Sequence, residues 1–125
     1  MANPNIVSVT AIYGTTTYLT PANTTANTLL SNAASSGLVY KINQIVCANV
    51  NGASAVNATV AINNAAAGAG TNFPVISTVS VPASASVIAV DKTTAIYLME
   101  NSSIVVTSGT SSGITYSLSY ESIAA

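Results

Sequence analysis

ITYSLSY, residues 114–120, decides the fold. Ile114, Tyr116, Leu118 and Tyr120 alternate with Thr115, Ser117 and Ser119. A period of two places the apolar set on one face and the hydroxyls on the other, as in a strand with one side on a core and one in water. Tyr116 and Tyr120 are therefore expected on the core face. The same alternation recurs at Val56, Ala58, Val60 and Ile62, set against Asn57, Thr59 and Ala61. It recurs again at Val75, Val79 and Val81, set against Thr78 and Ser80.

Outward from these three segments, further strands are expected at residues 5–12, 15–20, 26–31, 38–49, 86–91, 95–99 and 103–108. Between them lies turn chemistry: TPANTT, NAASSG, VPASAS, ENSS and SGTSSG. Asn51-Gly52 reads as a two-residue hairpin, because both residue types tolerate positive φ. The Ala-rich run 65–69 has helix propensity, but Gly68 and Gly70 interrupt it, so a long loop is expected there. No window of helix length holds a 3.6-residue period. Short strands at this spacing predict an all-β fold, an antiparallel β-sandwich or jelly-roll-like single domain of about 8–10 strands spanning residues 1–125.

Charge is scarce. Of 125 residues only five are charged, Lys41, Asp91, Lys92, Glu100 and Glu121, and there is no Arg and no His. A net charge of −1 with no basic patch gives nucleic acid nothing to bind. No apolar run reaches the ~18 residues of a membrane span, so no membrane partner is expected. The N-terminal MANPNIVSVT lacks the basic and apolar regions of a secretory signal, which predicts synthesis in a cytoplasm. Cys47 is the single cysteine. In QIVCANV it reads as a small buried apolar side chain, not a reactive thiol.

The cluster VDKTTAIYLMEN, residues 90–101, contains three of the five charges and invites a catalytic reading. Without imidazole there is neither a triad of the usual kind nor a zinc site. If Asp91 and Glu100 flank the strand 95–99, a span of ~13 Å separates its ends, too far for a glycosidase pair. The cluster is expected to be two strand ends instead. Asp91 to Thr94 forms a turn after Val87–Val90, Ile96 and Leu98 point one way, Tyr97 and Met99 point the other, and Glu100-Asn101 opens a solvated turn. No enzyme activity, cofactor, metal or small-molecule substrate is expected.

MANPNIVSVTAIYG at 1–14, KINQIVCANV at 41–50 and ISTVSVPASASVIAVDKTTAIYL at 76–98 resemble short virion structural proteins of tailed phages of marine bacteria, notably cyanophages. The resemblance runs in the same order over essentially the whole chain. It implies an all-β particle component with no enzymatic role, made in the host cytoplasm and then carried on the virion. Capsid decoration on the major capsid protein lattice is the leading expectation. A neck, tail or fibre component and a carbohydrate-binding or adhesin module are the alternatives. A coat of hydroxyls and amides suits seawater, where a Debye length of ~3–10 Å leaves surface ion pairs with little effect.

Contact with partners is expected at Asn3 and Pro4, in a docking arm of residues 1–5, at Tyr13 beside Gly14, and at Asp91 and Lys92. Edge strands free of lysine and of inward charge predict a homo-oligomer, a trimer or a dimer.

Overall fold

The structure, a computed structural model, describes residues 4–124. It is nearly all β, with two antiparallel sheets packed face to face. Nine strands follow in order among the described residues: β1 (Ala11–Leu19), β2 (Asn27–Asn32), β3 (Leu38–Asn49), β4 (Val56–Asn63), β5 (Asn72–Val81), β6 (Ser86–Val90), β7 (Ile96–Leu98), β8 (Ser102–Ser108) and β9 (Ile114–Ala124). The first sheet has the order β1-β9-β3-β6, with β7 also pairing β3, and the second has the order β2-β8-β4-β5. β6 and β7 lie end to end along one edge of β3, opposite residues 45–48 and 40–42 respectively. Counted as one interrupted strand, they leave eight strands in two four-stranded sheets, the chain crossing between the sheets at every connection except the β4–β5 hairpin, the connectivity of a jelly roll.

Alternation becomes burial where the sheets meet. Tyr116, Leu118 and Ile114 of β9, Ile42, Ile45 and Cys47 of β3, and Val60, Ile104 and Val106 of the second sheet form one continuous core cluster. The Tyr116 hydroxyl donates to the Thr107 carbonyl at 2.6 Å, so its polar atom enters the core satisfied. Tyr120 packs on the same cluster, its ring centroid 4.9 Å from that of Tyr40. Both tyrosines thus lie on the face that their parity indicates. Cys47 is fully buried, and burial pushes its thiol up to about 12.

Three expectations are corrected. Residues 5–12 and 15–20 are not two strands, because β1 runs unbroken through Tyr13 and Gly14 opposite residues 116–124. Residues 6–7 form a turn in which the Val7 amide donates to Asn5 Oδ1 at 2.9 Å, so this backbone donor is taken locally and not by a ladder. Asn51-Gly52 is not a hairpin turn, since β3 and β4 belong to different sheets and never pair. The segment is an arch between sheets, and its shape is set by Asn49, whose Oδ1 accepts from the Asn51 amide at 2.7 Å. The Glu100 turn is not solvated: the residue is half-buried and both carboxylate oxygens are shielded from water.

The 64–71 connection is a loop, as expected, with a single 3-10 turn at Ala66–Gly68. It folds over the outer face of the second sheet, where Ser103 Oγ accepts from the Gly68 amide at 3.0 Å and donates to the Ala65 carbonyl at 2.8 Å. Ser103 and Val105 are buried on that side. No equivalent cover crosses the outer face of the first sheet among the described residues downstream of β1.

The four sheet edges differ. β5 carries Pro74 and register shifts against β4, and β2 is short, with a register shift between Thr28 and Leu30. The β6/β7 edge is broken by the 3-10 turn Lys92–Thr94. β1 has nine residues in one uninterrupted register, with no proline and no charge.

Candidate docking surface

The outer face of the first sheet follows from parity. Ile12, Gly14, Thr16 and Tyr18 of β1 stand opposite Ile123, Glu121, Ser119 and Ser117 of β9. Ile123, Glu121, Ser119 and Ser117 in turn stand opposite Val39, Lys41, Gln44 and Val46 of β3. Tyr97 is opposite Lys41, and Ile88 is opposite Val46. Across the strands this makes an apolar row through Ile12, Ile123 and Val39 and another through Tyr18, Val46 and Ile88. Hydroxyls and the charges of Lys41 and Glu121 lie between the rows. Glu121 Oε1 accepts from Asn43 Nδ2 at 2.9 Å, a bond that the bulge between Ile42 and Gln44 makes reachable. Ile12, Tyr18, Ile88 and Tyr97 are all exposed.

At one end of this face, Pro4, Ile6, Val39, Tyr97 and Met99 line an apolar groove of about 300 Å³. Val39 is only 3% exposed although it points away from the sandwich interior, and Pro4 and Ile6 from ahead of β1 line the same groove. Met99 and Tyr97 reach the groove because they alternate with the buried Leu98. Ile6 and Met99 are each about half exposed, so the groove remains open to a partner.

The residues expected to touch partners do not converge. Asn3 lies outside the described residues. Pro4 is in the groove. Tyr13 is 69% exposed on β1 and shares parity with Leu19, which packs on the core while Tyr13 does not. Asp91 and Lys92 sit at the β6/β7 junction, on the other edge of the sheet, three strand spacings or about 14 Å from β1.

Asp91 has local work there. Its Oδ1 accepts from the Thr93 hydroxyl at 2.5 Å and from the Thr93 and Thr94 amides at 2.9 and 3.2 Å. The Thr94 hydroxyl accepts from the Asp91 amide at 3.2 Å, completing a capping box. The hydrogen bond from the Thr93 side chain, followed by the backbone bonds, holds the Asp91 carboxyl below its ordinary range. Ile6, Val39 and Met99 were not singled out by sequence reasoning. The available signal was Val39, an apolar residue on the parity otherwise given to Lys41.

No protein-family model, curated protein or solved structure matches this chain.

Proposed function

We infer that this chain is a non-enzymatic capsid decoration protein of a tailed phage, bound to the outer surface of the major capsid protein lattice. The observation that carries this reading is the outer face of the first sheet, exposed at Ile12, Tyr18, Ile88 and Tyr97 and at the groove beside the buried Val39, on a sandwich whose opposite face is partly covered by its own loop. The likeness of three of its segments to marine phage virion proteins supports the same reading. The jelly-roll connectivity also serves viral capsid and lectin domains, a fold-level analogy that adds weight without assigning a site. Docking buries Ile12, Tyr18, Ile88 and Tyr97, each Å² of apolar surface contributing about 25 cal/mol. With five charges in the chain, salt has little to screen.

The test is to add purified protein to capsids that lack it and to image the complex. Density over the head lattice, saturating at a copy number comparable to the capsid protein and unchanged between low and high salt, is the expected result. Density at the neck, tail or fibre transfers the chain to that part of the virion. Glycan-array binding without capsid binding replaces the reading with a carbohydrate-binding module.

A further inference from the structure

We propose that two copies of this chain pair through the free edges of β1, antiparallel about a two-fold axis at Thr15, joining their first sheets into one continuous sheet. Of the four edges among the described residues, β1 alone combines length, an unbroken register and freedom from proline and charge, while β2, β5 and β6/β7 each carry at least one of the devices that stop strand addition. A nine-residue row of backbone donors and acceptors, half of them turned away from β9, is a template for another strand.

The occupant is set by the strand itself. β1 spans Ala11–Leu19, so the antiparallel register that pairs all nine residues is centred on Thr15. A two-fold axis through the sheet keeps inner faces with inner and outer with outer, which requires partners of equal parity. The Thr15-centred register meets that condition at every position. It sets exposed Ile12 against exposed Tyr18 of the second copy, twice, on the outer face, and Tyr13 against Thr17, twice, on the other. Gly14 meets Thr16, and Thr15 meets itself. Aromatic and β-branched cross-strand pairs are favourable, and no pair brings like charges together. A charged partner strand would find nothing in β1 to complement it. The pairing is isologous, so it closes as a dimer and cannot build a trimer.

This inference stands apart from the virion reading, and its test needs only the purified chain. Sedimentation of the wild type should show a concentration-dependent dimer. Thr15→Lys places two ammonium groups at the axis and should weaken the dimer by roughly tenfold or more, with the melting curve of the monomer kept. In a Cys47→Ala background, Thr15→Cys should form an interchain disulfide on mild oxidation, because opposed Cα atoms in such a ladder lie about 4.5–5.5 Å apart. A wild type that stays monomeric, one that sediments as a trimer, or a dimer that survives Thr15→Lys and gives no Thr15→Cys cross-link would each overturn the pairing.

Discussion

Asn32, Asn49 and Asn63 are buried at the last positions of β2, β3 and β4, and each ties its strand to the segment that follows. Asn49 Nδ2 donates to the Ser54 and Val81 carbonyls at 3.1 and 2.9 Å. Asn63 Oδ1 accepts from the Ala65 and Gly70 amides at 3.0 and 2.9 Å, and Asn32 Nδ2 donates to the Leu38 and Leu98 carbonyls at 2.9 and 3.2 Å. A neutral amide both donates and accepts, so it satisfies buried backbone groups at a corner without the desolvation cost of a charge. Asn49→Ala leaves two carbonyls and one amide without their partner and should destabilise the fold by about 2–4 kcal/mol, read from urea denaturation. Asn51→Ala, at a half-buried position of the same arch, should cost less than about 1 kcal/mol. Nothing in the sequence separates these buried asparagines from the turn asparagines Asn51, Asn64 and Asn101, because the local composition is the same and only tertiary burial distinguishes them. Cys47 was easier to read, since its apolar neighbours already placed it inside. Its thiol stays protonated in the folded state up to about pH 12 but ionises in the unfolded chain from about pH 9. The unfolded state therefore binds fewer protons across that window, and stability falls as pH rises through it. Cys47→Ala should flatten this alkaline decline in melts recorded from pH 8 upward, and the native thiol should resist alkylation that the unfolded chain accepts.

At the scale of elements, the loop over the second sheet is the part most exposed to single changes. Gly68 adopts φ +71°, and a Cβ there would meet Thr28 Oγ1 at 3.1 Å and Val105 Cγ2 at 3.4 Å. Gly68→Ala should cost about 1–3 kcal/mol through backbone strain and crowding, measured by chemical denaturation, with amide exchange rising first at residues 65–70. Most strands were legible: 38–49 has the bounds read from its pattern, and 26–31, 56–62, 86–91, 95–99 and 103–108 fall within a residue or two of β2, β4, β6, β7 and β8. Tertiary pairing decided the misreadings. Gly14 suggested a break, but β9 supplies partners on both sides of it, and an extended glycine remains in register. Asn51-Gly52 carries the residues of a tight turn, yet the flanking strands bury their apolar faces in opposite sheets, and hairpin propensity yields to that separation. Of the docking surface, the alternation of Leu98 with Tyr97 and Met99 was readable. The meeting of Pro4 and Ile6 with Val39 in one groove was not, because it joins residues far apart in the chain.

For the molecule as a whole, hydroxyl and amide surface takes the place of charge. The ladder sets Lys41 opposite Glu121, and the Asp91 carboxylate is occupied by its own turn. Thermal midpoints should shift by less than about 2 °C between low and molar salt, apart from the general effect of salt on apolar burial, when choride is the anion and scans are otherwise identical. The pairing of β1 with β9 has one more consequence. Ala11 lies directly opposite Ala124, and the Thr10 amide donates to the Ala124 carbonyl at 2.8 Å. Positions 11 and 124 can therefore be spliced by a few residues and the chain reopened at the exposed Ala83-Ser84 turn, giving a circular permutant with the same ladders. In that rearranged polypeptide β1 and β9 become a covalent hairpin, and any passenger sequence carried at the new ends would emerge from the β5–β6 turn.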